Sequence, residues 1–137
     1  MTLAVSEDDL RHILAESPFI SLYGFQLHSM GDGVCSVEFP YQEKFVRPGG
    51  VVSGPVYMAA ADATMWLAIM TKLGDAATLA VTVEMKTNFL SGAKEEGFIC
   101  TAKILKLGRR LVYGVAECVS NQGILLTHHT LTYIRAA

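Results

Sequence analysis

The stretch that decides the fold runs from residue 47 to residue 70 and reads RPGGVVSGPVYMAAADATMWLAIM. Its first nine residues form a glycine-rich turn, and an apolar helix candidate follows at once. We expect this helix to begin at Ser53 or Gly54, to end at Leu73 and to be closed by Gly74. Because the helix is apolar nearly all round, it must be enclosed by other elements.

Asp62 is the one acid in this helix. Burial of an unpaired carboxylate is costly, so such a group has either a hydrogen-bond partner or a chemical task. The turn before the helix exposes backbone N–H groups where the helix dipole favours negative charge. The stretch therefore predicts a donor set that polarises a carbonyl, with a carboxylate close to it.

The other segments complete an α+β pattern. Ser6 is expected to cap a short helix over 6–16, which Pro18 ends, and alternation over 19–27 and 33–39 predicts a hairpin. Four further strands are expected over 79–90, 97–107, 110–120 and 124–134. The predicted architecture is an antiparallel sheet of about five to six strands wrapped around one long central helix. It forms a single domain over 1–137, with 1–17 as an N-terminal helical extension.

Composition predicts self-association. Hydrophobic residues make up 51% and charged residues 18% of the 137 residues, which leaves more apolar surface than one small core hides. The edge of the strand over 79–90 would otherwise be a long exposed template for pairing. We expect a homodimer or a dimer of dimers.

Other classes of protein are not indicated. The net charge is −2 and no basic run exceeds Arg109-Arg110, so no nucleic-acid partner is expected. Residues 1–9 lack the pattern of a signal peptide, and no apolar stretch predicts a membrane span, so we expect a cytoplasmic protein without a membrane partner. The three cysteines are expected to be small buried hydrophobes; no metal and no other cofactor is predicted.

Three motifs together resemble the hotdog-fold acyl-CoA thioesterases, in particular their phenylacetate-degradation branch. The family pattern Asn-x-x-Gly-x-x-His-Gly-Gly, followed by an acid on the central helix, falls on residues 47–55 and on Asp62. Residues 81–90, VTVEMKTNFL, are similar to the third strand of the family and its Phe-Leu ending. Residues 106–110, KLGRR, resemble a basic turn between two late strands. The resemblance implies the hotdog fold and hydrolysis of an acyl-CoA to a free acid and CoA.

The resemblance also implies roles for single residues. Asp62 would be the general base, or less favourably the nucleophile, and the N–H of Gly54 would form the oxyanion hole. Thr82, on a strand contributed by the neighbouring subunit, would orient the water or the base across the dimer interface. Arg109 and Arg110 would contact the phosphates of CoA, which is part of the substrate.

Two polar positions depart from the family pattern. Arg47 replaces the family Asn; its charge would pair with Asp62 or contact a carboxylate of the substrate. Ser53 replaces the family His but keeps a hydroxyl that would cap the helix. Gly50 is the matched glycine of the substrate-binding turn. Met65 would belong to an adaptable lining for the acyl group, or to ordinary helix packing.

Simpler interpretations stay open on the residues alone. Asp62 could be a structural acid held by a neighbouring hydroxyl, Thr82 an ordinary strand residue, and the pair Arg109-Arg110 a solvated turn. The alternative function is a hotdog protein that binds an acyl-CoA or similar thioester without hydrolysing it. A hydratase is less favoured, because hydratases of this fold pair their Asp with a His and none lies near Asp62.

Overall fold

The computed structural model describes residues 3–136, so Met1, Thr2 and Ala137, at the ends of the predicted domain, lie outside the described residues. The helices are α1 (Glu7–Glu16), α2 (Pro18–Ser21) and α3 (Gly54–Leu73). The strands are β1 (Gln26–Gly31), β2 (Val34–Phe39), β3 (Val46–Arg47), β4 (Val51–Val52), β5 (Val81–Phe89), β6 (Phe98–Leu107), β7 (Leu111–Ser120) and β8 (Leu125–Ile134). Short 3₁₀ turns cover Glu43–Phe45 and Gly74–Leu79.

Six of these strands form one antiparallel sheet in the order β1-β2-β6-β7-β8-β5. The strands β3 and β4 form a separate small ribbon in the loop that leads into α3. The edges of the main sheet are therefore β1 and β5. The predicted α+β architecture, a sheet of about six antiparallel strands around one long helix, is confirmed.

The helix α3 packs against the strands of the main sheet. Its alanines Ala60, Ala61 and Ala68 are fully buried, and such small side chains let the helix backbone approach the strands closely. Gly114 of β7 serves the same purpose, since a Cβ there would come within 2.5 Å of the Met65 Cε atom. The helix ends at Gly74, whose φ of 56° suits a glycine, as predicted.

The prediction of a strand over 19–27 is wrong. Pro18 does not simply end the first helix; it occupies the first turn of α2, where its missing N–H costs nothing. The alternating aromatic residues that suggested a strand instead stack on one another, with the Tyr23 ring 5.1 Å from Phe25 and 5.0 Å from Phe45. The strand of this hairpin begins only at Gln26. The α1 prediction is confirmed, with Ser6 as the N-cap; the structure adds a capping box between Ser6 and Asp9.

The three cysteines are buried and free, as expected of small core residues. Burial raises the pKa of Cys35 to about 12, so this thiol stays protonated. His129 is also fully buried, between the hydroxyls of Thr87 and Thr127 at 2.8 and 2.7 Å. Among the helices of residues 3–136, none combines the length and apolarity that a membrane crossing needs.

Candidate active site

The Asp62 carboxylate lines a cavity of about 470 Å³ beside the sheet. The walls are mostly apolar. They are formed by α2 and the segment after it, by one face of α3, by the end of the second 3₁₀ turn and by the start of β5. They include Phe19, Ile20, Tyr23, Phe25, Ala59, Ala63, Trp66, Ala80 and Val81. A cavity of this volume with few polar groups is typical of a small-molecule site. The surroundings of Asp62 are thus apolar, as predicted, and its carboxylate is open to this cavity.

Two hydroxyl groups hold this carboxylate. The Thr82 hydroxyl donates to Asp62 Oδ1 at 2.6 Å, and the Tyr133 hydroxyl donates to the same oxygen at 2.6 Å. The Tyr133 hydroxyl also lies 2.8 Å from the backbone oxygen of Asp62. Thr82 and Tyr133 are direct partners in the register of β5 and β8, so the sheet presents them to α3 as a pair.

The expectation that Thr82 reaches Asp62 across a subunit interface is wrong. Both residues belong to one chain, because β5 pairs with β8 of its own sheet and places Thr82 directly beside α3. Sequence reasoning named Thr82 as a partner of the base, and the 2.6 Å hydrogen bond confirms that proximity. The error concerned only which chain supplies it.

Gly54 lies in a second cavity, of about 420 Å³, at the N-terminal end of α3. It is the first residue of the helix, Pro55 has no N–H, and the Val56 N–H donates to the Ser53 oxygen at 3.0 Å. The Gly54 N–H is therefore an unpaired helix-start donor as far as the backbone bonds of residues 3–136 show. The ring of Phe89 packs close to the Cα atom of Gly54, since a Cβ on Gly54 would be 3.2 Å from Phe89 Cε1.

Gly54 and Asp62 of one chain line separate cavities. They are eight residues apart on α3, which is about 12 Å along the helix axis. A reacting carbonyl has to lie about 3 Å from its oxyanion donor, and the water that attacks it has to lie within hydrogen-bond reach of the base. The structure therefore separates the two predicted catalytic groups within a single chain.

Arg47 and Ser53 lie with Gly54 and away from Asp62. The Arg47 guanidinium donates to the Pro48 oxygen at 2.8 Å and lines the Gly54 cavity, so its predicted pairing with Asp62 is not made within the chain. Ser53 occupies the N-cap position, but its hydroxyl makes no capping hydrogen bond, contrary to expectation. Gly50 adopts a φ of 77° in the turn between β3 and β4, where its N–H donates to the Arg47 oxygen at 3.1 Å.

Met65 does not belong to either cavity. It is 1% exposed and packs on Gly114 of the sheet, so the interpretation as ordinary helix packing is correct. Trp66 is the residue of this helix face that reaches the Asp62 cavity, one turn beyond Asp62. Its indole N–H donates to the Ala77 oxygen at 2.8 Å, which fixes the ring as a wall.

Arg109 and Arg110 are exposed in the turn between β6 and β7. The adjoining residue Val112 pairs with Tyr133, which in turn pairs with Thr82, so the turn lies at the same end of the sheet as the hydroxyl pair. Arg135 joins them there, with its guanidinium 2.9 Å from the Gly108 oxygen. Neither Arg109 nor Arg110 lines the Asp62 cavity itself.

Sequence reasoning did not single out Tyr133 or the α2 residues of the cavity wall. Tyr133 and Leu131 lie two residues apart on the inner face of β8, as the period of two in a strand predicts. Its pairing with Thr82 depends on the strand register, which a single sequence does not reveal.

Comparison with known proteins identifies the family. A family model described as "Thioesterase superfamily" matches residues 49–127, more than half of the chain, and the chain belongs to this superfamily. A Saccharolobus solfataricus protein named "Putative esterase SSO1253" is 31% identical over 110 residues, which cover 80% of this chain and 71% of that protein. A Thermoplasma acidophilum protein named "Putative esterase Ta0293" is 25% identical over 126 residues, covering 92% and 94% of the two chains.

Solved structures show the same fold. The thioesterase HI1161 of Haemophilus influenzae superposes with a TM-score of 0.88 at 20% identity, covering 99% of this chain and 95% of that chain. A Streptococcus pneumoniae structure titled a hypothetical thioesterase with coenzyme A has a TM-score of 0.80 at 18% identity, covering 96% and 98%. The predicted hotdog fold is confirmed, and superfamily membership supports thioester hydrolysis as the general activity.

Proposed function

We propose that the protein hydrolyses acyl-CoA thioesters, with Asp62 as the general base and the N–H of Gly54 as the oxyanion donor. The observation that carries this proposal is the Asp62 carboxylate, held on one oxygen by two hydroxyls and open to an apolar cavity. Superfamily membership supports the hydrolase class. Assignment to the phenylacetate-degradation branch belongs to the same proposal and depends on the motif over residues 47–62.

The proposed active site is shared between two subunits of a homodimer. The strand β5 lies at the edge of the sheet and exposes Val81, Val83 and Phe89, each by more than half. Such an edge is stable in water when a second strand covers it, and a two-fold axis pairs β5 with its own copy in antiparallel fashion.

This pairing would reunite the two separated groups. The Asp62 cavity lies at the start of β5, beside Val81 and Thr82, and the Gly54 cavity lies at its end, beside Phe89. Antiparallel pairing about the middle of the strand sets Val81 of one subunit opposite Phe89 of the other. The Asp62 cavity of each subunit then adjoins the Gly54 of its partner. A dimer of such dimers is compatible with the same site.

The proposed reaction needs no group beyond the Asp62 carboxylate, the backbone N–H of Gly54 and water. Asp62 Oδ2 accepts a proton from a water molecule, whose oxygen attacks the thioester carbonyl carbon. The carbonyl oxygen becomes an oxyanion and accepts a hydrogen bond from the N–H of Gly54, strengthened by the dipole of α3. Collapse of this intermediate breaks the carbon–sulfur bond, and the proton held by Asp62 passes to the leaving CoA thiolate.

The two ends of the substrate would occupy different surroundings. Among the described residues 3–136, no Lys, Arg or His lines the Asp62 cavity, so it suits an uncharged, apolar acyl group. The CoA phosphates would meet Arg109 and Arg110, with Arg135 beside them, at the adjoining end of the sheet. Arg47, on the Gly54 side, would anchor the turn or the substrate near the thioester. The three reduced cysteines are in keeping with a cytoplasmic enzyme.

Release of free thiol from a panel of acyl-CoAs tests this function. Wild type should hydrolyse at least one apolar acyl-CoA, and Asp62→Asn should lose that turnover. Saturable binding of acyl-CoA without thiol release would instead identify the non-catalytic binding protein, which the changes at residues 47 and 53 make the second candidate. Turnover that does not depend on Asp62 would contradict the assignment of the base.

A further inference from the structure

Tyr133 is the least exposed polar group at the Asp62 cavity. It is 3% exposed, and it reaches the carboxylate from β8, the strand next to the edge strand β5. No motif of the sequence marks it. Its register partner Thr82 is exposed and reaches the same carboxylate from β5.

The two hydroxyls divide the carboxylate into a fixed side and a free side. Both donate to Asp62 Oδ1 at 2.6 Å. Among residues 3–136, no side chain or backbone N–H is seen to donate to Asp62 Oδ2. One oxygen is therefore anchored to the sheet while the other keeps its lone pairs for a water molecule in the cavity.

We propose that Tyr133 is a positioning residue that fixes the Asp62 carboxylate with Oδ2 toward the attacking water. This inference rests on the proposed thioester hydrolysis. In this proposal the Tyr133 hydroxyl donates to Asp62 and transfers no proton to or from the water or the thioester. Its task is to keep the general base in a productive orientation, because a base must lie within hydrogen-bond reach of the proton that it removes.

The Asp62 carboxylate depends on this hydroxyl because of the groups that line the cavity. The titratable groups that line the cavity are Asp62, Tyr23, which follows α2, and Tyr133 from β8. The elements α3 and β5 and the 3₁₀ turn contribute Trp66, Thr82 and Thr78, which carry no charge. Within residues 3–136, no cationic side chain therefore compensates the carboxylate from the cavity wall, and the two hydroxyls are its stabilising partners. Burial, followed by the Asp62 charge, raises the pKa of Tyr133 well above its usual range, so it remains a protonated donor.

A purely structural role has to be separated from positioning. The contact of the Tyr133 hydroxyl with the Asp62 backbone oxygen, at 2.8 Å, also ties β8 to α3. Its loss would lower the free energy of unfolding without altering the pH dependence of catalysis. The test therefore needs kinetic readouts and not stability alone.

The experiment compares Tyr133→Phe with Tyr113→Phe, a matched control on the exposed outer side of β7. In Tyr133→Phe, kcat on the best acyl-CoA should fall about tenfold to a hundredfold, the usual effect of losing a hydrogen bond to a charged group. KM should stay within about twofold, because Tyr133→Phe keeps the ring that lines the cavity and removes only the hydroxyl that donates to Asp62. The acidic limb of the kcat/KM–pH profile should move to higher pH, since a donor that favours the ionised form is gone.

The conservative pair at Thr82 supplies a second test of the anchored oxygen. Thr82→Ser keeps the donor and should retain a higher kcat than Thr82→Val, which should reproduce the kcat loss and the shifted limb. If Tyr133→Phe is folded and keeps both the wild-type kcat and the wild-type limb, the positioning role is refuted.

Failure of the proposed function gives a different result. If wild type releases thiol from no acyl-CoA, the hydrolase assignment fails, and crystal structures of wild type and Tyr133→Phe decide the positioning role. A carboxylate that leaves its wild-type orientation in Tyr133→Phe supports the inference. A carboxylate that stays in place with Oδ2 toward the cavity overturns it.

Discussion

Asp62→Asn separates the chemical role of this residue from its structural role. The substitution keeps the size of the side chain and one carbonyl oxygen, which can still accept from Thr82 and Tyr133 as Oδ1 does. The new amide group faces the cavity in place of Oδ2 and cannot accept a proton from water. We therefore expect a folded protein whose base is missing.

The expected sizes follow from these contacts. Both hydroxyls keep an acceptor in Asp62→Asn, so the free energy of unfolding should change by less than about 1 kcal/mol. Asp62→Ala removes that acceptor, and the buried Tyr133 hydroxyl keeps only the Asp62 backbone oxygen, so we expect a loss of about 1–2 kcal/mol. Both variants should lower kcat by about 10²- to 10⁴-fold, the usual contribution of a general base.

Chemical denaturation and thiol release on the same preparations measure both quantities. Asp75→Asn, at an exposed acid in the 3₁₀ turn after α3, is the control and should behave as wild type. An Asp62→Asn protein that unfolds at the wild-type denaturant concentration and retains wild-type kcat would refute the role of Asp62 as the base.

Three further perturbations test the cavity, the CoA end and the dimer edge. Trp66→Ala removes a fixed wall of the Asp62 cavity and should shift the acyl preference toward longer chains. The ratio of kcat/KM for long over short acyl-CoAs should therefore rise, and an unchanged ranking of substrates would contradict an acyl site there. Replacing Arg109 and Arg110 with Ala should raise KM and weaken its salt dependence while kcat stays nearly constant, because phosphate contacts bind ground and transition states alike; an unchanged KM would make the pair a solvated turn. Val83→Lys places a charge on the edge strand β5. The variant should sediment as a monomer and show little activity in the thiol-release assay. An active dimer would show that β5 is not the interface.

Much of the fold was predictable from the sequence because its signals are local. The apolar helix with a closing glycine and the alternating strands around it all follow from periodicity and turn residues. The segment 19–27 was not predictable in this way, since a short alternating apolar run fits a strand as well as a helix and an aromatic cluster. There Pro18 favoured a helical turn, and the packing of Tyr23 against Phe45 stabilised it.

The site was predictable in its members more than in its arrangement. Asp62 and Gly54 stand out in the sequence because one is a lone acid in an apolar helix and the other starts that helix. The pairing of Thr82 with Tyr133 depends on the register of β5 and β8, which two distant segments determine together. For the same reason the chain that supplies Thr82 could not be deduced from the sequence. Which residue of α3, Met65 or Trp66, lines the cavity also depends on how the helix packs on the sheet.

The central claim is that Gly54 of one subunit works with Asp62 of the other. Gly54→Pro removes the N–H, and Ser53, with φ −65° and ψ 137°, already has the backbone conformation that a residue before proline prefers. Gly54→Ala is the matched control, because it adds a Cβ against the same Phe89 ring and keeps the N–H. We expect Gly54→Pro to be the less active of the two variants.

Mixing the inactive Gly54→Pro and Asp62→Asn proteins, with subunit exchange, tests this claim most directly. In a mixed dimer, one of the two shared sites combines an intact Gly54 with an intact Asp62. Random exchange of equal amounts makes about half of the dimers mixed, so thiol release should recover to about one quarter of wild type. If each chain carried a complete site of its own, every site in the mixture would be defective, and activity that stays at the level of the two parents would contradict the account.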